Sequence, residues 1–213
     1  MTGYPLERTA LVVIDATNDF ISEGGKAWPA LREVCEEVGT IANMKRVLTL
    51  AREAGIQVLH APMSTQPWDY GPWKHRTPSH DGMFHAQLFQ AGTWGAEFHP
   101  DFVPAEGEVV VTPHKTFDAF HGTDIDTQLR QRDIDHVIIC GLTTNTCVDS
   151  TGRDAVERGY DVTFVSDAVG TFTMDIQRAT IELNWPRYAH QIVTTDELTE
   201  SLSLSGDATA AVA

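Results

Sequence analysis

The chain has 213 residues, 42% of them hydrophobic, enough for one sizeable α/β domain with a real core. Its 15 basic and 30 acidic residues give a net charge of −15, which argues against nucleic acid and anionic membranes as partners, since both call for basic patches. An odd set of cysteines without regular spacing, Cys35, Cys140 and Cys147, is no disulfide framework.

"MTGYPLERTALVVID" lacks a basic leader and a cleavage site, and no window approaches the roughly 18 apolar residues of a membrane span. A cytoplasmic protein with reduced thiols is the expectation. "TALVVID" (9–15) is a short β-branched run ending at a carboxylate, the pattern of a strand buried on both faces. One long helix is predicted next. Pro29 suits its first turn, Leu31, Val34, Val38, Ile41, Leu48 and Ala51 recur at steps near three and four, and Gly55 ends it. Residues 56–62 and 108–113 read as the second and third strands. Residues 123–133 read as a helix with Thr123 as N-cap, and 136–141 as the fourth strand. A helix over 144–158, a strand over 160–168, a helix over 174–185, a strand over 189–195 and a short closing helix complete the series. Strands alternating with helices imply right-handed crossovers and a mainly parallel sheet covered on both faces. Residues 1–201 are expected to form a single domain, and 202–213, small and polar, a flexible tail.

The exception to this rhythm is the stretch 63–107. It carries Trp68, Tyr70, Trp73, Trp94, His75, His80, His85 and His99, with His60 at its edge. Long ordered loops of this kind are usually functional, although such aromatics also serve to pack a loop onto its own domain or onto another subunit.

In open parallel sheets the chemistry sits at the carboxyl ends of the strands. Asp15 ends the first strand, Lys115 follows the third, and Cys147 lies just past the fourth in the opening turn of a helix. Unpaired N–H groups and the partial positive charge of a helix start favour a thiolate, and a nearby Lys115 would lower the thiol further from its ordinary value of about 8.5. Asp15 would then shuttle protons. Taken alone, each residue has a plain reading: a cysteine is most often a small buried hydrophobe, as expected for Cys35 and Cys140, an aspartate a turn former, a lysine a solvated cation. The three together, at three strand ends, point to an activated nucleophile with an acid/base partner and a cationic orienter.

Three segments, "LVVIDATNDF" (11–20), "PHKTFDAF" (113–120) and "GLTTNTCVDSTGRDA" (141–155), make the chain resemble the isochorismatase-like cysteine hydrolases over residues 8–200. The family pattern around its cysteine is matched by Gly141, Thr144, Cys147, Val148, Thr151, Asp154 and Ala155. The resemblance implies a catalytic triad of Asp15, Lys115 and Cys147. It implies a cis peptide at Leu142–Thr143 and an oxyanion hole formed by the backbone N–H groups of Thr143 and Cys147. It implies a three-layer α/β/α fold with a six-stranded parallel sheet of order 3-2-1-4-5-6. It also implies a homodimer or homotetramer, for which the aromatic 63–107 loop is a candidate interface.

Within the family, nicotinamidases bind a metal through a D-x-H element that is absent here, so neither metal nor cofactor is expected. Relatives that hydrolyse the vinyl ether of isochorismate lack the cysteine, which makes that reaction the alternative. The favoured reaction is hydrolysis of a C–N bond in a small amide, ureide or carbamoyl compound through a thioester. Phe20, Trp94, Phe120 and Asn145 lie on segments bordering the triad and are the expected substrate-binding residues. The sequence speaks against two other classes. A dinucleotide-binding module would show G-x-G-x-x-G after the first strand, where the chain has "DATNDF". A non-catalytic scaffold would have no need to keep all three reactive residues.

Overall fold

The computed structural model describes residues 3–210, with side chains through 205. Six strands form one all-parallel sheet: β1 (Thr9–Ile14), β2 (Gln57–Ala61), β3 (Val109–Val110), β4 (His136–Leu142), β5 (Asp161–Gly170) and β6 (Gln191–Val193). Their order is β3-β2-β1-β4-β5-β6, as the resemblance implied. Every residue of β1 is buried, so its uninterrupted apolar run is that of a strand covered on both faces. The chain winds outward from β1 to β3 on one side and from β4 to β6 on the other. The crevice between the carboxyl ends of β1 and β4 is therefore where the winding reverses.

Helices flank the sheet: α1 (Asn18–Ile21), α2 (Trp28–Val38), α3 (Thr40–Glu53), α4 (Pro78–Ala86), α5 (Ile125–Arg130), α6 (Asp149–Glu157), α7 (Met174–Arg178) and α8 (Thr195–Ala210). The single long helix expected before Gly55 is two. Gly39 adopts φ 75° and closes α2 with its N–H on the Cys35 carbonyl, so α3 starts afresh and packs against β1, β2, β4 and β5. The expected N-cap Thr123 lies one residue early: Asp124 precedes α5, and Thr123 accepts instead from the Ile125 N–H at 3.3 Å. The helix predicted over 144–158 begins as a π-helical turn, Thr144–Val148, before α6. The one predicted over 174–185 likewise passes from α7 into a π-helical stretch, Ala179–Asn184. The predicted tail is helical through Ala210, and Ser205 accepts from the Tyr4 N–H at 2.7 Å; residues 211–213 lie outside the described residues.

Two packing details hold the site's frame. Phe164 of β5 stacks on Trp185 with ring centroids 4.0 Å apart, and the space for its ring exists because Gly152 of α6 has no Cβ. Asp149, at the start of α6, accepts from Trp185 Nε1 at 3.1 Å, Tyr188 Oη at 2.7 Å and Asn184 Nδ2 at 2.9 Å, and from Arg153 Nε at 2.9 Å. These bonds pin the helix that follows Cys147 to the segment after α7.

Candidate active site

Ile14 of β1 pairs with Gly141 of β4, so the chain leaves both strands at the same point. Asp15 takes a left-handed conformation, φ 55°, which a short polar side chain tolerates, and its N–H remains on the Ala61 carbonyl at 3.1 Å. The fully buried carboxylate is thereby turned into the crevice. Its Oδ1 accepts from the Met63 N–H at 2.5 Å and faces His114 Nε2 at 3.0 Å. Its Oδ2 is buried with no hydrogen-bond partner among the described residues. On the β4 side the Leu142–Thr143 peptide is cis, and the π-helical turn after it carries Cys147.

Cys147 is 3% exposed. Burial first, and then the charge of Asp15 beside it, push the thiol well above its ordinary range; the Thr146 hydroxyl, 3.8 Å from Sγ, and the Thr143 N–H ease it only in part. This overturns the expectation of a thiol lowered by the helix start. The partial charge of a helix terminus is outweighed by desolvation and by a carboxylate in contact. A thiol raised in this way favours its neutral form at neutral pH. Cys35 and Cys140 are also raised by burial, to about 11 and about 12.

The basic side chain against Asp15 is His114, where Lys115 was expected. Residues 62–64 and 114 pair in a short parallel stretch that extends the sheet edge beyond β2, with His114 N–H on the Pro62 carbonyl at 3.1 Å and Met63 bridged to His114. Side chains of successive extended residues point to opposite sides. His114 turns inward to Asp15. Lys115 turns away, its Nζ donating to the Ser64 carbonyl at 2.6 Å and pairing with Asp69 at 2.9 Å. Tyr70 Oη donates to the Lys115 carbonyl at 2.6 Å and anchors this loop.

Cys147 opens onto a cavity of about 310 Å³. Its wall includes Phe20, Met63, Met83, Phe89, Phe117 and Phe172, with Thr143 and Thr146 at the chemical end. Among the described residues that line it, Lys26 alone carries a charge. Of the four expected pocket residues, Phe20 is in place. Phe120 is core, 5% exposed, packed near Tyr160 and under the Arg158 guanidinium. Asn145 accepts from the buried Thr171 hydroxyl at 2.6 Å and does not line the cavity, and Trp94 stands 50% exposed near Gly24. The apolar wall contributed by 82–89 escaped sequence reasoning because nothing local brings that loop to Cys147. What does so is Asp19, a buried carboxylate that accepts from the Phe89 N–H at 2.7 Å and the Lys26 N–H at 3.2 Å. His80 caps α4 and stacks between Phe117 and Tyr70, and no group of three or more metal-ligating side chains forms among the described residues.

The sheet thus sets a cysteine and a carboxylate side by side at its switch point, and similarity to known proteins gives the family. The isochorismatase domain model matches residues 9–196, and the chain belongs to the isochorismatase family of hydrolases. It is 33% identical over 189 residues to the ureidoacrylate amidohydrolase RutB of Agrobacterium fabrum (strain C58 / ATCC 33970), covering 81% of each chain. Among solved structures, an isochorismatase family protein from Desulfovibrio vulgaris superposes with a TM-score of 0.76 at 29% identity, covering 92% of this chain and 98% of that one. A cysteine hydrolase from Pseudomonas syringae pv. phaseolicola shares the fold, with a TM-score of 0.79 at 24% identity over 95% of this chain and 96% of that one. No helix among the described residues is long and apolar enough to cross a membrane.

Proposed function

We propose that the protein hydrolyses a C–N bond of a small amide, ureide or carbamoyl compound through a thioester on Cys147. The observation that carries this reading is a buried thiol beside an Asp15 oxygen that has no hydrogen-bond partner among the described residues, at the end of a partly open cavity. Asp15 takes the thiol proton as Sγ attacks the carbonyl carbon. The tetrahedral oxyanion is held by the N–H groups of Thr143 and Cys147, each such donor being worth about 3 kcal/mol. Asp15 returns the proton to the leaving nitrogen, the C–N bond breaks and the amine or ammonia departs. Water then gives a proton to Asp15 and attacks the thioester, and the thiol leaves with that proton. The cavity, about 310 Å³ and mostly apolar, suits a compact substrate with an uncharged hydrocarbon body, and Lys26 at its wall would tolerate an anion.

The 33% identity to a ureidoacrylate amidohydrolase supports C–N chemistry over ether cleavage. The test is ammonia release over a panel of small amides, ureides and carbamoyl compounds, with Cys147→Ala and Asp15→Asn as controls. Both variants should be inactive, because members of a catalytic unit do not add. Mass spectrometry with a slow substrate should find the acyl adduct on Cys147. A Cys147→Ala enzyme near wild-type activity, with Asp15→Asn dead, would replace the thioester route with protonation of a vinyl ether.

A further inference from the structure

We propose, resting on the cysteine-hydrolase reading, that His114 is the cationic positioning residue of this site. It is a buried imidazolium that holds Asp15 by Oδ1 and leaves Oδ2 free for the thiol, while Lys115 pairs with Asp69.

The ring has an acceptor at each nitrogen. The Thr116 carbonyl lies 2.5 Å from Nδ1, and a carbonyl only accepts, so Nδ1 bears a proton. Asp15 Oδ1 lies 3.0 Å from Nε2 and already receives the Met63 N–H, so it too presents lone pairs and Nε2 is protonated as well. A ring protonated at both nitrogens is charged. The pair is wholly shielded from solvent. Burial alone would lower the imidazole, but the Asp15 charge and hydrogen bond, the Thr116 carbonyl and Asp118 outweigh it and raise it above its ordinary value. The charged and titratable surroundings are few. Asp15 comes from the end of β1, with Cys147 beyond it; Asp118 lies on the loop of His114 itself; Lys115 is drawn off to Asp69, and Tyr70 is anchored on the Lys115 carbonyl.

The role follows from charge balance. Before proton transfer the site holds a thiol, a carboxylate and an imidazolium. After it, the site holds a thiolate, a carboxylic acid and the same imidazolium. The sum is zero both times, so a buried cation supports the carboxylate first and the thiolate next without any charge being moved in from water. A histidine in this place also titrates within the working range of an enzyme, which a lysine would not.

The test has one arm that needs substrate and one that does not. The pH profile of kcat/KM is measured for wild type, His114→Gln, His114→Lys and Lys115→Ala on whichever panel compound is turned over. His114→Gln should lose about 100-fold or more, Lys115→Ala less than about tenfold, and His114→Lys should recover to within about tenfold of wild type with its alkaline limb moved up by about one pH unit or more. In the second arm the His114 imidazole is titrated by NMR in wild type and in Asp15→Asn. It should titrate above about 6.5 in wild type and fall in the variant. Equal losses in His114→Gln and Lys115→Ala, an alkaline limb unmoved by His114→Lys, or an imidazole that titrates at or below that value or ignores Asp15→Asn would each overturn the assignment. A panel with no turnover would sink the hydrolase reading, while the NMR titration would still decide the state of His114.

Discussion

Gly141 and Ile14 pack backbone to backbone where β4 and β1 end: a Cβ on Gly141 would run into the Ile14 carbonyl oxygen, and its φ of 127° belongs to glycine. This close approach sets Asp15, the next residue after Ile14, against the segment that leads through Leu142–Thr143 to Cys147. Gly141→Ala must therefore push the two strand ends apart. We expect a loss of about 3 kcal/mol or more in urea unfolding, with activity lost in whatever protein still folds. A variant of wild-type stability and activity would show that the approach is not needed.

The thiol chemistry gives a second expectation. Cys147 lines the cavity and has Asp15 beside it, whereas Cys35 and Cys140 are buried in the core. Iodoacetamide followed by peptide mapping should label Cys147 first. Because its thiol is raised, labelling should go on accelerating through about pH 8.5 with no plateau near neutrality. A plateau below about pH 7 would mean a resting thiolate.

Asp19 offers a test of the pocket wall. Its carboxylate gathers the Phe89 and Lys26 N–H groups, and Gly95 packs so closely that a side chain there would strike it. Asp19→Ala should loosen the apolar wall without touching the reacting atoms. The expected signature in steady-state kinetics is a KM raised about tenfold with kcat lowered less than about threefold. A fall in kcat at unchanged KM would instead give Asp19 a part in the chemistry.

Glu108 governs acid stability. Burial alone would raise its carboxyl, but Arg52 at 2.7 Å, the Ala105 N–H at 2.8 Å and His60 at 2.8 Å pull it down to about 2. A carboxyl depressed in the folded state contributes stability above its unfolded value of about 4.3, and that contribution fades as the pH falls toward 2. His60, fully buried and lowered mainly by that burial, works in the same sense: its contribution is present above about 6.5 and is lost as acid forces it to charge. Glu108→Gln should cost about 1–3 kcal/mol at pH 7 in denaturant unfolding, and the gap to wild type should narrow below pH 4. A gap that is constant with pH would mean the cost is one of packing alone.

His114 extends this reasoning with the opposite sign. A folded-state imidazole raised by Asp15 stabilises the protein below its unfolded value of about 6.5, and that stabilisation is lost as the pH climbs through the raised folded value. Thermal unfolding followed from pH 6 to 9 should show wild type declining toward His114→Gln at the alkaline end. Parallel curves would deny the charge.

The chain's own pattern determined the alternation of strands and helices, the parallel sheet and the placing of Asp15 and Cys147 at strand ends, while the strand order came from the family resemblance. Short β-branched runs bounded by polar residues fit strands buried on both faces, and a reactive residue that ends such a run, or opens the helix after it, lies at the carboxyl edge of the sheet. The break at Gly39 was missed: the apolar steps of three and four run on across it to Gly55, and only its left-handed backbone separates the two helices. Three things were decided only by tertiary packing. Whether 114 or 115 faces Asp15 depends on how an extended segment without a strong alternating pattern docks beside residues 62–64, and a shift of one residue reverses which side chain points inward. The thiol's ionisation depends on burial and on a carboxylate 132 positions earlier in the chain, which oppose the local effect of the helix start. The pocket wall depends on a long loop whose place is fixed by Asp19, through bonds between residues 70 positions apart. Local pattern records what a segment becomes; the partner that a side chain meets is set by how the segments are brought together.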